Sequence, residues 1–263
     1  MDLDQFTDNS VSDINALEIF TSFKRESCPA KTVSRGRILA RQIDSAQLLR
    51  ASQRLRYQVY CLDRKFLPAD EYPGKVETDE YDPMSTHFGV FVDEISPDRM
   101  IGMARLVPGE GCFPLQHHCT ISPQYRKYFG SGIRAAEVSR LMISQTAVAK
   151  FLGRSGLELR RDMLLVLYKA VYSWVEARQV SLLFAAMETS LAGLLRRTGF
   201  PFVEIGPEID YYGRVFPYVL DIEFGKHHLR TQAPEIWQFF LDDASSERSR
   251  RSSLWTRPAA KVA

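Results

Sequence analysis

The most informative stretch of the chain reads Arg134-Ala-Ala-Glu-Val-Ser-Arg-Leu-Met-Ile-Ser144, a mostly apolar strand candidate that carries two charges, Glu137 and Arg140. Residues three apart on a regular strand face opposite sides of the sheet, so these two side chains reach one cavity only if a β-bulge interrupts the strand. Bulges are common beside active sites and release backbone N–H groups from the sheet. The alternative is an ordinary ion pair, exposed to solvent on a half-buried strand.

Helix and strand signals alternate along the rest of the chain, which favours an α/β domain. The strand candidates are Arg37–Gln42, His87–Val92, Met100–Val107 and Ser181–Met187, with two more inside Phe202–Phe224. The helix candidates are Ser45–Tyr60 with Asp44 as its cap, a stretch near Ser122–Phe129, Leu157–Arg178, Ser190–Thr198 with Thr189 as its cap and Gly199 as its end, and Pro234–Leu241.

Composition and the two ends of the chain set its broad class. Of the 263 residues, 45% are hydrophobic and 25% are charged, which supplies a sizeable core and argues against disorder over most of the length. We predict a polar leader at residues 1–36 with a short helix over Ile14–Phe23, one domain at 37–242, and a disordered, basic, Ser-rich tail at 243–263. Because we find neither a signal peptide nor a run of about 18 apolar residues, we predict a cytoplasmic protein without a transmembrane segment.

Charge and missing motifs exclude several functional classes. A net charge of +2 is too small for a general nucleic-acid binder. The chain has no Walker-type loop, no dinucleotide-binding glycine pattern and no Gly-x-Ser-x-Gly. Its four cysteines include no Cys-x-x-Cys pair, and the spacing of Cys112, His117, His118 and Cys119 matches no common zinc site, so we predict no metal.

Arg105 is the only charge in its apolar strand candidate. Such an arginine must pair with a carboxylate or line a cavity, because burying an unpaired charge is costly; otherwise it lies at a sheet edge and reaches water. Asp79 and Asp82, in an acidic loop, are its candidate partners, since arginine–carboxylate pairs are often bidentate. The same two carboxylates are candidate partners for Arg56 and Arg140. The alternatives are a solvated acidic turn or a weak calcium loop, although the EF-hand pattern is absent.

These polar residues follow the order and near-spacing seen in the acyl-homoserine-lactone synthase family. The matching elements are Arg56-x-x-Val-Tyr60, Phe66, Asp79-x-x-Asp82, Ala104-Arg-Leu-Val-Pro108 and Glu137-x-Ser-Arg140. No single element is specific, but the whole set in this order resembles that family. Tyr60 and Phe66 stand where those synthases usually have Phe and Trp, which counts against lactone formation.

The chain resembles a sister group more closely, the N-acyl amino acid synthases and the PEP-CTERM/exosortase-associated acyltransferases. The similar stretches are Leu55-Arg-Tyr-Gln-Val-Tyr-Cys61, Phe66-Leu-Pro68, Asp79-Glu-Tyr-Asp82 and Met187–Gly199. The resemblance covers about residues 37–225 and implies a GNAT-like N-acyltransferase fold, with a central mixed sheet flanked by helices.

The resemblance also implies roles for the polar residues. It makes Glu137, Arg140 and Arg105 catalytic, and it makes Arg56, Tyr60, Phe66, Asp79, Asp82 and Ser139 substrate-binding. Glu137 is the candidate base for the acceptor amine, and N–H groups freed by the bulge are candidate donors to the oxyanion. We expect no permanently bound cofactor, only an acyl-phosphopantetheine thioester as co-substrate.

By the same resemblance, the acyl donor is expected on acyl carrier protein rather than on free coenzyme A. Carrier proteins are acidic, so a basic docking surface is needed. The candidates are Lys150, Arg154, Arg160 and Arg161, and the alternative is an ordinary solvated helix start. Aliphatic residues of Leu157–Val175 and Leu182–Phe184 either line an acyl tunnel or form plain core. Gly153-Arg-Ser-Gly156 is either a phosphate loop or a simple turn.

The expected function is an N-acyltransferase that moves a long-chain acyl group from acyl carrier protein to the amine of an amino acid or similar small molecule. No nucleic acid is expected as a partner, and peripheral membrane contact is compatible with the sequence. Three alternatives stay open: an acyl-homoserine-lactone synthase, an acetyl-coenzyme A-dependent acetyltransferase, and a non-catalytic module that senses a lipid or an amino acid. The acetyltransferase alternative has only Arg154-Ser-Gly156 as a hint of its usual phosphate loop.

Overall fold

The computed structural model describes residues 31–109, 113–129, 132–211 and 213–242. The predicted helix Ile14–Phe23, the predicted tail at 243–263, and the cysteines Cys28 and Cys112 lie outside these ranges.

One mixed sheet organises the domain. Its strands are β1 (Val33–Arg35), β2 (Ile38–Gln42), β3 (Thr86–Val92), β4 (Met100–Gly109), β5 (Ala135–Ile143), β6 (Leu182–Met187), β7 (Val203–Glu204), β8 (Ile209–Asp210) and β9 (Arg214–Asp221). The order across the sheet is β1-β2-β3-β4-β5-β6-β9-β7, and β8 pairs with β9. Neighbouring strands are antiparallel except β5 and β6, which are parallel.

Helices flank the sheet, so the predicted α/β class is confirmed. They are α1 (Ala46–Arg56), α2 (Pro114–His118), α3 (Gln145–Leu152), α4 (Ser155–Glu158), α5 (Arg160–Ala177), α6 (Thr189–Arg197), α7 (Ile222–Gln232) and α8 (Pro234–Leu241). A π-helical segment, Tyr57–Asp63, continues α1, and 3₁₀ turns occupy Ala69–Glu71, Asp82–Met84, Pro97–Arg99 and Pro123–Phe129.

The structure corrects where some elements begin. Ser45 rather than Asp44 caps α1, because its hydroxyl accepts the N–H of Leu48 at 3.3 Å. The last long strand ends at Asp221, whose carboxylate accepts the N–H of Phe224 at 2.9 Å and starts α7 instead of extending the strand.

Two further boundaries differ from the predictions. β1 pairs with β2 and lies inside the segment predicted as a polar leader at residues 1–36, so the sheet begins before residue 37. The helix predicted over Leu157–Arg178 is divided into α4 and α5, and α3 before it was not predicted. α3 begins directly after β5, where the hydroxyl of Ser144 accepts the N–H of Ala147 at 3.2 Å.

The main core lies between the sheet and α5. Val90 and Ile101 of the sheet belong to one buried cluster with Met163 and Val166 of α5. Phe91, the neighbour of Val90, points to the opposite face and packs against α1. Removing this apolar surface from water on both faces holds the strands in place, which fixes the positions of the charged residues that they carry.

β5 contains the β-bulge that the spacing of Glu137 and Arg140 predicts. The pairing of β5 with β4 shifts between Ser139 and Met142, so that Arg140 and Leu141 together lie opposite one residue. Arg140 has a φ of +50°, a left-handed conformation that residues other than glycine rarely adopt. As a result, the side chains of Glu137 and Arg140 line the same cleft.

β5 and β6 separate just beyond Glu137. They pair from Ala135 with Leu182 to Glu137 with Phe184, and their described residues form no further pairs. A bulge bends the strand that contains it, which explains why β5 turns away from its parallel neighbour at this point. The separation opens a cleft of about 1400 Å³ in the middle of the sheet.

The close approach of β4 and β5 yields a stability prediction at Gly102. A Cβ on Gly102 would lie 2.8 Å from the backbone oxygen of Met142, so one strand must shift. Gly102→Ala should lower the free energy of unfolding by about 1–3 kcal/mol in chemical denaturation. Gly74→Ala is the matched control, because its Cβ would meet nothing closer than 3.5 Å. Equal losses in both variants would contradict the tight pairing.

Candidate active site

The cleft reaches both faces of the sheet. On one face it is lined by Arg105, Glu137 and Ser139, and on the other by Val138 and Leu141. Successive side chains of a strand point to opposite faces of the sheet. Where β5 no longer pairs with β6, side chains from both of its faces therefore line the same opening. A molecule in the gap can therefore touch polar groups at one end and the apolar core side at the other.

A buried network of charges lies beside this opening. Its arginines are Arg56 at the end of α1, Arg105 in β4 and Arg140 in the bulge, and its carboxylates are Glu77, Asp79 and Asp82 from the loop before β3. The three positive and three negative charges balance. Balance matters because a buried charge is tolerated only when it is paired and hydrogen-bonded.

Glu77 joins two of the arginines. Nε of Arg56 donates to one oxygen of its carboxylate, and Nη2 of Arg140 donates to the other at 3.0 Å. Burial alone would raise the pKa of the Glu77 carboxyl, but the hydrogen bonds and charges of these two arginines hold the pKa below its usual value. Glu77 is therefore ionised, and it ties the end of α1 to the bulge.

Arg105 organises the other half of the network. Its Nη1 donates to Asp79 and, at 2.8 Å, to Asp82, while its Nε donates to the hydroxyl of Ser139 at 2.9 Å. Asp82 also lies 3.3 Å from Nε2 of His87. Burial would raise the pKa of Asp82, but hydrogen bonds from His87 and the arginines bring this pKa well below its ordinary value.

The network resolves alternatives that the sequence left open. Arg105 is 1% exposed, so it is not an edge residue that reaches water. The carboxylates of Asp79 and Asp82 form ion pairs with arginines. The loop is therefore neither a solvated acidic turn nor a calcium-binding loop. The structure brings these residues together with Arg56, Arg140 and Ser139, while their roles in catalysis and substrate binding stay predictions.

Glu77 and His87 are two network members that we did not predict as site residues. Glu77 is 0% exposed, although the sequence shows it as one more acid in a polar loop. A charge count contained the missing signal, since three buried arginines require three carboxylates and the sequence assigned only two. For His87, which sits in an apolar strand beside a buried acid, the sequence offers no comparable signal.

Tyr60 and Phe66 form an aromatic wall of the cleft. Their ring centroids lie 6.3 Å apart, and the guanidinium carbon of Arg140 lies 5.4 Å from the centroid of Tyr60. Tyr60 belongs to the π-helical segment, a conformation that is frequent at functional sites, and its carbonyl accepts the N–H of Phe66 at 2.8 Å. Gly213, with a φ of +106°, makes room for Phe66, because a Cβ there would lie 3.2 Å from the ring.

Glu137 occupies a different environment from the network carboxylates. It is 2% exposed and accepts the backbone N–H of Leu115 at 2.8 Å. Burial raises the pKa of Glu137 to about 7, against the lowering effects of that hydrogen bond and of the nearby Arg105 and Arg140. A carboxyl group with this pKa both accepts and returns a proton near neutral pH, which is what general acid–base chemistry requires.

The four predicted docking cations are all exposed, but they differ in position. Arg160 and Arg161 line the cleft, whereas its described lining does not include Lys150 or Arg154. Arg160 donates to Gln145 at 3.1 Å, and Arg161 pairs with Glu235 at 3.2 Å. Both contacts are exposed and weak, so these two guanidinium groups can change partners at little cost. The docking role itself stays a prediction.

The Gly153-Arg-Ser-Gly156 segment forms the turn between α3 and α4. Gly153 ends α3 with a φ of +52°, and Gly156 packs so closely against Val148 that a Cβ does not fit. Turn geometry and packing thus account for both glycines without a bound phosphate.

Within the described ranges, no group of three or more His, Cys, Asp or Glu side chains could hold a metal ion. None of the described helices combines the length and apolarity needed to cross a bilayer.

The network yields a stability prediction at Glu77. Glu77→Gln should lower the free energy of unfolding by roughly 3–5 kcal/mol at pH 7, because two buried arginines lose a shared negative charge. Folding lowers the pKa of Glu77, so the ionised carboxylate stabilises the folded protein above about pH 4 and this stabilisation is lost as the pH falls. The difference in unfolding free energy between wild type and Glu77→Gln should therefore shrink in acid. Exposed Glu80→Gln is the control in urea unfolding. Equal stability of the two variants would contradict the network.

Comparisons with known proteins agree with this geometry. A family model for the acetyltransferase (GNAT) domain matches residues 55–150. A probable acyl-homoserine-lactone synthase of Sinorhizobium fredii is 26% identical over 167 residues, which cover 63% of the chain and 76% of that protein. An L-ornithine N(alpha)-acyltransferase of Rhodobacter capsulatus is 28% identical over 145 residues, 53% of the chain and about half of that protein (51%).

A solved structure shares the fold. The N-acyl amino acid synthase FeeM from uncultured soil microbes superposes with a TM-score of 0.52 at 18% identity, covering 73% of this chain and 94% of that one. The predicted closeness to PEP-CTERM-associated acyltransferases stays a prediction. The family model and these sequence matches lead to one conclusion: residues 55–150 form an acetyltransferase (GNAT) domain, and the chain is similar in sequence to an acyl-homoserine-lactone synthase and to an N-acyltransferase.

Proposed function

We propose that the chain transfers a long-chain acyl group from a carrier-protein thioester to the amine of an amino acid or a similar small molecule. One observation carries the proposal: a buried carboxyl group, Glu137, with a pKa of about 7, stands at the edge of a cleft that passes through the sheet. A base at that position can accept a proton from an amine bound at the polar face of the cleft. The acyl chain can then occupy the apolar face.

The apolar side of the cleft suits a hydrocarbon chain. Its wall comes from α5, α6, β6 and the segment after α6, through residues that include Leu164, Leu167, Val171, Leu183, Leu195 and Phe200. Burying methylene groups against such side chains contributes about 0.8 kcal/mol for each CH₂. A long acyl chain therefore gains several times what an acetyl group gains, which favours long-chain donors over acetyl-coenzyme A.

The chemistry follows from the placement of Glu137. An α-amino group with a pKa of about 8 is mostly protonated at neutral pH and must first lose a proton to solvent. The neutral amine attacks the thioester carbonyl carbon, a C–N bond forms, and Glu137 takes the proton that the nitrogen sheds. The C–S bond then breaks, and the leaving thiolate takes up a proton from Glu137, which regains its starting form.

The bulge supplies candidate donors for the negative charge that develops on the carbonyl oxygen. Arg140 and Leu141 have no one-to-one partners in β4, so their N–H groups are the candidate oxyanion donors. In this proposal Arg105 and Arg140 act by position: Arg105 fixes Ser139, and Arg140 anchors the bulge to Glu77. Arg56, Asp79 and Asp82 support the substrate wall, and Tyr60, Phe66 and Ser139 contact the substrates.

The donor side of the proposal rests on Arg160 and Arg161. Both are exposed at the cleft and weakly held, so they can meet an acidic carrier protein as it delivers its pantetheine arm. Two exposed, weakly held arginines suit the acidic surface of a carrier protein better than free coenzyme A. The phosphates of coenzyme A would need a site that binds anions more tightly.

Replacing the proposed base gives the sharpest kinetic prediction. Glu137→Gln should lower kcat/KM by roughly 10²–10⁴-fold. In the wild type, kcat/KM should rise with pH through about 7 as Glu137 ionises, and the variant should lose this step while keeping the one near pH 8 that belongs to the amine. Glu158→Gln, an exposed acid at the same cleft, is the control. A rise near pH 7 that survives in Glu137→Gln would exclude Glu137 as the base.

Charge reversal tests the docking surface. The double variant Arg160→Glu, Arg161→Glu should raise KM for an acyl carrier protein donor by about 10-fold at low salt and by less at high salt, while KM for a small acyl-pantetheine thioester stays constant. The exposed pair Arg50→Glu, Arg54→Glu on α1 makes the same change in net charge elsewhere. A response that is independent of ionic strength, or equal in both double variants, rules out an electrostatic surface at the cleft.

The reaction itself is tested with purified protein, an amino acid mixture and three donors: long-chain acyl carrier protein, long-chain acyl-coenzyme A and acetyl-coenzyme A. Mass spectrometry should detect N-acyl amino acids, fastest with the carrier protein. An acetylated amine as the main product would favour an acetyltransferase, and a lactone formed from S-adenosylmethionine would favour an acyl-homoserine-lactone synthase. No product from any donor would favour a non-catalytic module.

A further inference from the structure

The hydrogen bond that holds Glu137 comes from a short helix beside the cleft. The backbone N–H of Leu115 in α2 donates to Oε2 of Glu137 at 2.8 Å, and both residues are buried. Among the described residues, none donates a hydrogen bond to the other oxygen, Oε1. The bond from Leu115 therefore fixes the direction of the carboxyl group and leaves Oε1 for the proton of the amine.

Gln116 closes the first turn of α2 around this N–H group. Its backbone N–H donates to the carbonyl of Phe113 at 2.9 Å, and its side-chain Oε1 accepts the N–H of Phe113 at 2.8 Å. The N–H groups at the start of a helix have no partners within the helix, so a side chain that reaches back in this way stabilises the first turn. The side chain of Gln116 thus helps to set the direction in which Leu115 donates.

Phe113 attaches the same turn to the sheet next to Glu137. Its side chain is fully buried, and its ring centroid lies 5.2 Å from that of Phe184. Phe184 is the residue of β6 that pairs with Glu137. A shift of the turn would therefore disturb the aromatic contact and the hydrogen bond to Glu137 together. Gln116 does not belong to the described lining of the cleft, so any effect on the reaction passes through its neighbours.

We propose that Gln116 is a positioning residue for the proposed base: by closing the first turn of α2, it keeps the N–H of Leu115 aimed at Glu137 and holds the carboxyl group in the orientation that receives the proton. This inference rests on the proposed function, because it takes Glu137 as the base. Gln116 lies outside every motif element that carries the family resemblance.

Four other charged or titratable groups face Glu137. Arg105 in β4 and Arg140 in the bulge lower the pKa of Glu137, and Asp79 in the loop before β3 raises it. The thiol of Cys119, at the end of α2, has its own pKa raised by burial to about 11, so it stays neutral near pH 7. The backbone hydrogen bond from α2 also lowers the pKa of Glu137. Loss of this one bond should therefore raise that pKa while the four groups stay in place.

NMR titration tests the inference without any need for activity. In wild type, the amide proton of Leu115 should shift with the same midpoint as the carboxyl carbon of Glu137. Gln116→Met keeps the length of the side chain but removes the acceptor oxygen, and it should raise the pKa of Glu137 by about 0.5 to 1. The control is Gln238→Met on α8, an exposed position where the side chain donates to Asp242, and it should leave the titration unchanged.

Kinetics separate positioning from mere support of the fold. A higher pKa leaves less of the base ionised at low pH, so kcat/KM of Gln116→Met should be about 3- to 10-fold below that of wild type at pH 6. The two values should converge above about pH 9, where Glu137 is ionised in both proteins. A residue that only stabilises the fold would lower kcat/KM by the same factor at every pH.

Three results overturn the inference. They are a Leu115 amide shift that does not follow Glu137 in wild type, equal Glu137 pKa values in wild type and Gln116→Met, and a loss of activity in Gln116→Met that is independent of pH. If wild type transfers no acyl group at any pH, the proposed function fails. The two NMR titrations still decide in that case whether Gln116 positions Glu137.

Discussion

Three guanidinium groups that are cut off from water determine the architecture of this site. A buried arginine cannot lose its charge, so each one must find a carboxylate inside the protein. Arg56, Arg105 and Arg140 come from three separate elements, and the segment from Glu77 to Asp82 supplies carboxylates to all three. The loop that carries these acids is therefore fixed against the sheet, and it holds Arg105 and Arg140, which line the cleft.

The same pairing explains why Glu137 behaves differently from its neighbours. Two of the arginines lie near enough to lower its pKa, but Asp79 acts in the opposite direction and the arginines already share their charges with the loop. The effect of burial is therefore the largest, and it raises the pKa of Glu137 to about 7. The pKa values of Glu77 and Asp82 are thus lowered and that of Glu137 is raised within one region of the protein.

The bulge connects this electrostatic arrangement to the shape of the cleft. One extra residue in β5 turns Arg140 towards Glu77, and the bend separates β5 from β6. Without the ion pairs, a left-handed backbone at Arg140 would be unfavourable, and without the bulge the parallel strands would continue to pair. Charge burial and the opening in the sheet therefore depend on each other.

Much of this arrangement could be predicted from the sequence, because the deciding features are local. The three-residue spacing of Glu137 and Arg140 requires a bulge if both side chains face one cavity, and a lone arginine in an apolar strand requires a carboxylate partner or a cavity if it is buried. Glu77 was missed because burial of a loop residue depends on what packs over it, which short-range patterns do not report. α3 and the early strand β1 were missed for a similar reason, since tertiary packing stabilises short elements with weak local signals.

The most direct measurement is a titration of the Glu137 carboxyl carbon by NMR, with ¹³C-labelled glutamate and the signal assigned by its loss in a Glu137→Gln sample. Burial of Glu137 beside arginines that are already paired with other carboxylates predicts an apparent pKa of about 7. A value of about 4.3, that of a glutamate in water, would mean that Glu137 is solvated or paired with an arginine. That result would contradict both the buried charge arrangement and the proposed base.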